Sequence, residues 1–518
     1  MMGCMSLPRV LFMLAVLLVA AAWGQEATKP QAEAALKTFA SYAANQNVHV
    51  RCAALDELGA TDHELVCMEL LRHLKDALPP IRTIAVQGLA RQRNIPGVDE
   101  VLRRVWRGRD EAERLELLKV LRMAKPAKGR SVLEELARST HFNLRLGAVE
   151  ALGGYPDEDG RTTGLLLSML ADKEPLVRLA ALDALPRTQH KDCVGALVRM
   201  LKDADWRVRA SAVWGVRALR PTAAVAPLIA LLDAEQGRLV DDTIAALEDL
   251  TAAGYGADIA GWKAWWKQVA ERFVVPSKAE LETLRKKEAA NSATYAKRDK
   301  GYESRPYHGI RTRSRNMLFV IDCSTSMAEA VVLDERDIAR LDDFRKRYGE
   351  LRTKIDIARE ELIQLVAALP AHAKFNIITF NASVDTWKRG LVPADEGSRN
   401  AAIRWLAKLT PASVVPVGNS GAGRTNTFEA MNAAFGLMTG GTAEKATFKT
   451  DADTMFLLTD GNPTVGAVTE PKLLIEHVAE INRKAKMVIH TIGFGASNQA
   501  LMQALARDSG GQYVSVGG

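Results

Sequence analysis

The sequence is poor in the residues that most readily disclose a function. Five cysteines occur among 518 residues, and no two stand at the spacing of a metal-binding pair. Cys4 precedes the first apolar run, so it is not placed as a lipid acceptor. Cys52, Cys67, Cys193 and Cys323 remain. Four thiols in so long a chain exclude a disulfide-built scaffold. Cys52 and Cys193 sit among apolar helical residues and read as small core fillers; a Cys52–Cys67 bridge is left open. Long apolar runs are also missing. The run Val10–Ala22 is well short of the about twenty residues that cross a bilayer. It follows Arg9, and Ala22-Trp23-Gly24 sets small residues ahead of Gln25. Residues 1–24 therefore read as a secretory signal peptide, with no membrane span after cleavage and a secreted, periplasmic or cell-envelope location.

Charge of one sign is lacking over most of the chain. The net charge is +7, but residues 277–316 alone hold eleven Lys/Arg against five Asp/Glu. A basic stretch of that kind could touch nucleic acid or anionic lipid; as a charge run between two patterned halves it reads as a solvated linker, and no nucleic-acid partner is expected. An apolar content of 47% with 25% charged residues is that of globular protein.

The first half repeats itself. VRCAALDEL, IRTIAVQGL, LRLGAVEAL, VRLAALDAL and VRASAVWGV place Arg51, Arg82, Arg145, Arg178 and Arg209 in one register. Each arginine follows an apolar residue, with Ala three places on and an apolar residue seven places on. Arg114, in ERLELLKVL, fills the gap with a looser match, and a degenerate copy ending at Leu247 has Val240 in the arginine's place. The period is about 32 residues, one helix pair that cannot bury its apolar stripe alone and must stack on its neighbours. This pattern resembles the short form of the HEAT repeat over residues 31–250. The arginines invite a reading as an anion-binding ladder; the structural reading pairs them with carboxylates near repeat starts, Asp172, Asp203 and Asp205. In GWKAWWKQVAERF, Trp262, Trp265 and Trp266 share one helical face, so residues 251–275 read as a capping helix over the last repeat. Residues 276–315 read as a charged linker, with Tyr302 and Tyr307 as anchoring points.

From Asn316 onward the pattern alternates. NMLFVID, FNIITFN, TMFLLTD and MVIHTIGFG are short apolar runs of the buried parallel-strand kind. Helical segments lie between them, VDTWK adds a short antiparallel partner, and QYVSV a last edge strand. Residues 316–518 thus predict an α/β doubly wound, Rossmann-like sheet, whose ligands bind beyond the carboxyl ends of the strands. The whole chain is expected to be an all-α helical-repeat solenoid followed by that α/β domain. Two of its strands end in an acid, Asp322 and Asp460. Small hydroxyls, Ser324 and Ser326, follow the first, and Thr425 stands just before a helix. These are hard oxygen donors, suited to Mg²⁺ or another hard divalent cation and not to zinc or copper.

Asp-x-Ser-x-Ser, then Thr, then Thr-Asp-Gly resemble the metal-ion-dependent adhesion site of von Willebrand factor A-type domains. The resemblance implies that Ser324, Ser326 and Thr425 contact the ion, that Asp322 and Asp460 act mainly through water, and that Mg²⁺ (or Mn²⁺/Ca²⁺) keeps an open position for a partner's Asp or Glu. Thr325 departs from the family's usual Gly without removing a ligand. Gly440-Gly441-Thr442 also looks like a family motif, but it follows a helix instead of preceding one. The insertions Ala328–Thr353 and Ala412–Gly423 interrupt the domain near the same rim. They are expected either to form a collar that selects the ligand or to be plain surface decoration.

The leading expectation is a protein-binding scaffold with no catalytic residues. The alternative is a structural repeat protein whose A-type domain binds no metal. A Mg²⁺-dependent aspartyl phosphoryl transferase needs a second acid two residues after the first, where Ser324 stands. A Ser/His/Asp set is lacking too, since His372, His477 and His490 read as structural.

Overall fold

The computed structural model describes residues 26–157, 159–188, 190, 192–289, 302, 305–331, 353–410, 424–436, 451–494 and 499–516. The expected signal peptide lies outside these residues. Two compact units divide at Thr162/Thr163.

The first unit is a helical-repeat stack. The arginine-bearing segments form the helices Val48–Leu58, Pro79–Arg91, Glu111–Ala124 and Phe142–Leu152, each packed on the one before. The small residue three places after the arginine is what permits the approach: Ala85 and Ala148 are fully buried at the contacts. The second unit continues the pattern with Pro175–Thr188, Trp206–Leu219 and Arg238–Thr251, where Ala181 and Ala212 play the same part.

The repeat arginines serve the backbone. Arg82, Arg145, Arg178 and Arg209 each donate from Nη1 to the carbonyl six residues upstream, at 2.7, 2.8, 2.9 and 2.8 Å. Each thereby closes the turn that follows the preceding helix, whose last residue lies three positions before the accepting carbonyl. Of the three expected carboxylate partners, Asp203 alone pairs as such, accepting two bonds of 2.8 Å from Arg178. Asp172 offers Arg178 its main-chain carbonyl. Asp205 instead caps the helix Trp206–Leu219 through the Arg207 amide. Arg209 turns to Glu235. Asp205 is drawn away from the repeat arginines because an acid at the N-cap has a closer task, capping the helix amides. The open Cys52–Cys67 bridge is also settled: all four described cysteines are free and buried.

Beyond the last repeat, the helix Ile259–Val269 packs on Val225–Ala234. Trp262 is fully buried and donates from Nε1 to the Gly256 carbonyl at 2.9 Å. Trp265 and Trp266 pack edge-on against Phe273.

The α/β part is a single sheet. Its strands are β1 (Asn316–Asp322), β2 (Lys374–Phe380), β3 (Val384–Thr386), β4 (Val392–Pro393), β5 (Thr454–Thr459), β6 (Val488–Phe494) and β7 (Tyr513–Val516). Their order is β3-β2-β1-β5-β6-β7, with β4 also on β2. The main ladders are parallel, and β3 and β4 run antiparallel to β2. Alternate β1 residues face opposite cores. Met317, Phe319 and Ile321 meet the helix Lys354–Ala367, whereas Leu318 and Val320 meet Phe428, Met431 and Leu474. Tyr307, expected as an anchor, is buried edge-on against Phe319 and Phe456. The two-residue strand β4 was not expected from the sequence.

The degenerate seventh copy faces the sheet. Arg238 donates to the carbonyls of Asp453, the residue before β5, and Lys486, two residues before β6. Lys486 pairs with Asp183 at 2.6 Å, and Asp241 binds the Arg313 amide at 2.8 Å. This seam lies at the amino ends of the strands.

Two expectations follow. Arg178→Ala and Asp203→Ala should each lower stability by about 1–3 kcal/mol, with the double variant less than additive. Urea unfolding reads this out, and an anion-ladder role would leave stability unmoved while abolishing anion binding. The second concerns acid. Burial, with the nearby Arg238 charge second, pulls the His490 imidazole down to about 4, and burial pulls His308 down to about 3. Both are therefore neutral when folded but titrate normally when unfolded. Their stabilising contribution is complete above about pH 6.5 and is lost as pH falls toward 4. His490→Gln should flatten the pH dependence of the melting temperature across that window.

Candidate metal centre

The site begins with strand pairing. β1 and β5 are parallel neighbours, with Ile321 level with Leu458, so both deliver their last residues to one rim. β2 follows β1 on one side while β5 lies on the other, which makes this rim the switch point of the sheet. Asp322 ends β1, and Asp460 follows Thr459, the end of β5.

Asp322 is fully buried. Its Oδ1 accepts from the Ser324 amide at 2.8 Å and its Oδ2 from the Thr459 hydroxyl at 2.6 Å. Burial pushes its carboxyl up to about 6; those hydrogen bonds oppose the rise and the Asp460 charge adds to it. The single helical turn Thr325–Ala328 folds Ser326 back over Ser324, with the two hydroxyl oxygens 3.1 Å apart. Ser326 then donates to Asp460 Oδ1 at 2.8 Å. Four of the five expected ligands thus form one connected chain.

Thr425 completes the set by a different route. Its amide donates to the Thr464 hydroxyl at 2.8 Å, and its carbonyl accepts from the Thr464 amide at 2.9 Å. The Asn426 amide donates to the Asn381 carbonyl at 2.7 Å. Gly466, at φ +106°, lies so close to Asn426 that a Cβ would fall 2.2 Å from its Oδ1; only glycine permits both that backbone and that approach. Held this way, the buried Thr425 turns its hydroxyl toward Gly461, the residue after Asp460. The five expected residues therefore meet at one rim.

The donors are two carboxylates and three hydroxyls, all hard oxygen. Among the described residues no cluster of three or more His, Cys, Asp or Glu side chains is placed to hold an ion. Three neighbours were not foreseen. Thr459 buttresses Asp322, Thr464 ties down Thr425, and Lys354 places Nζ 2.7 Å from Asp460 Oδ2 and 2.6 Å from Glu329 Oε2. Lys354 is the first residue of its helix. A cation opposes the helix dipole there, and that anomaly was the available signal.

Residues 332–352 and 411–423, most of both insertions, lie outside the described residues, as does Gly440-Gly441-Thr442. The ends of the first insertion are described. Ala330 bridges Thr353, and the Lys354 amide donates to the Glu329 carbonyl at 3.0 Å. That insertion leaves and returns beside the site.

Two of the histidines read as structural have protein partners. His490 stacks on Phe456 and accepts from the Gln512 amide. His477 pairs with Asn432 at 2.7 Å.

Comparison with known proteins agrees with this arrangement. A family model described as HEAT repeats matches residues 162–248, and one described as von Willebrand factor type A domain matches residues 350–515. The human inter-alpha-trypsin inhibitor heavy chain H4 is 29% identical over 204 residues, 39% of this chain and 18% of its own length. The pig heavy chain H1 is 25% identical over 35% of this chain and 16% of its own. This chain thus matches less than a fifth of the length of either relative. A solved aerotolerance-related membrane protein from Bacteroides fragilis aligns at 15% identity and a TM-score of 0.25 over 39% of this chain and 90% of that one. On the two family matches and the fold, the chain is a HEAT-repeat solenoid joined to a von Willebrand factor type A domain.

Proposed function

We propose that the protein is a binding scaffold, not an enzyme, whose A-type domain engages an acidic residue of a partner protein through a divalent cation. Asp322, Ser324, Ser326, Thr425 and Asp460 would hold Mg²⁺, or Mn²⁺ or Ca²⁺ in its place. A bound ion would supply an electrophilic position for the partner's Asp or Glu. The chain's own part is preorganisation. Asp322 is locked by Thr459 and the Ser324 amide, and Ser326 is aimed by Asp460. The observation that carries the reading is this convergence of oxygen donors from three separate stretches at the sheet's switch point.

The helical repeats would offer a second docking surface. The location that goes with this reading is secreted, periplasmic or envelope; among the described residues no helix is long and apolar enough to cross a membrane. The segmentation that goes with this reading is 1–24 signal, 31–250 repeats, 251–275 cap, 276–315 linker and 316–518 A-type domain.

One observation favours a second reading, a structural A-type domain that binds no metal: Lys354 already neutralises Asp460. Calorimetric titration of the full chain with Mg²⁺ and Mn²⁺ separates the two. The metal reading expects saturable binding and a rise in melting temperature, both lost in Asp322→Ala and reversed by EDTA. No response in the wild type would sink it. The collar idea has its own test. Because Ala330 and Thr353 bridge, replacing residues 332–352 by a short Gly/Ser link should leave the fold and metal affinity intact and change which proteins are retained in a Mg²⁺-dependent pull-down. An unchanged set would make the insertion surface decoration.

A further inference from the structure

The feature that the metal reading leaves over is Lys354. Its ammonium sits between two carboxylates of unlike surroundings. Asp460 Oδ2 is 2.7 Å away on a side chain 1% exposed; Glu329 Oε2 is 2.6 Å away on a side chain 65% exposed. The lysine itself is 12% exposed. Ser326 takes the other oxygen of Asp460, so a divalent ion drawing on Asp460 must compete with a cation the chain already provides.

From this geometry we infer that Lys354 is a built-in counter-cation of the site, one that holds Asp460 when no divalent ion is present and is handed to Glu329 when one binds. The inference rests on the metal reading above and adds how that site is regulated.

The physical argument has three parts. Asp322 and Asp460 are both buried at one rim, and two desolvated carboxylates there repel unless a positive charge intervenes. Lys354 supplies that charge and keeps the rim folded without metal. A divalent ion brings two positive charges to the same place, and leaving the ammonium against Asp460 would then set cation against cation. The ammonium has a retreat: Glu329 already touches it and stands mostly in water, where moving the ion pair outward costs little. Glu329 and Lys354 are also fixed to each other through the backbone, since the Lys354 amide donates to the Glu329 carbonyl. The retreat is therefore a rotation of one side chain and needs no movement of the sheet. The expected consequence is a site of modest affinity, filled where divalent ions are abundant and released where they are scarce.

The test is calorimetric titration of the full chain with Mg²⁺ and Mn²⁺, with thermal unfolding in EDTA as a second readout. Lys354→Gln should bind at least about tenfold more tightly and melt at a lower temperature than wild type in EDTA. Lys354→Arg, which keeps the charge, should stay near wild type. Glu329→Gln, at an exposed position, should weaken binding, and that weakening should disappear in the Lys354→Gln background, where there is no ammonium to receive. If Lys354→Gln and wild type bind equally, or if Glu329→Gln weakens binding as much without the lysine as with it, the hand-over is wrong while the metal site stands. If neither wild type nor Lys354→Gln binds either ion, the metal site and the hand-over fall together.

Discussion

The parallel pairing of β1 with β5 is the constraint on which the site depends. It brings Asp322 and Asp460 to one end of the sheet with their carboxylates out of water. Everything around the rim answers that unfavourable placement. Thr459 and the Ser324 amide meet one acid, Ser326 and Lys354 the other. The charges are arranged so that a small hard cation would relieve them, and until then the chain's own ammonium does part of that work.

Much of this was legible because its causes are local. The repeat announces itself by arginine register, and Arg82, Arg145, Arg178 and Arg209 close the turns by reaching the carbonyl six residues upstream. The strands are apolar runs ended by acids. That Asp322, Ser324, Ser326, Thr425 and Asp460 meet at one rim follows from strand ends and from the rule that parallel sheets bind beyond their carboxyl ends. What stayed hidden is what depends on distant chain segments. Lys354 reaches Asp460 across 106 positions of sequence, and Arg238 reaches Asp453 across 215. No periodicity encodes either contact. Asp205 is a separate case: an acid at a helix start can cap or can pair, and spacing alone does not decide between them.

The degenerate last copy of the repeat shows how a regular array accepts a different neighbour. The helix Arg238–Thr251 packs on other repeat helices and also meets the beginnings of strands, and the earlier copy Pro175–Thr188 touches the same region through Asp183 and Lys486. There the recurrent arginine gives way to Val240, and Arg238 takes up carbonyls of the sheet instead.

That seam has a mechanical consequence. It holds the backbone immediately before β5 and β6, at the sheet end away from Asp322 and Asp460, roughly 20 Å along the strands. Tension from a molecule seated on the rim would run lengthwise down the central strands into the last helical repeat. Parallel strands loaded along their axes share the load over many hydrogen bonds at once instead of parting one by one.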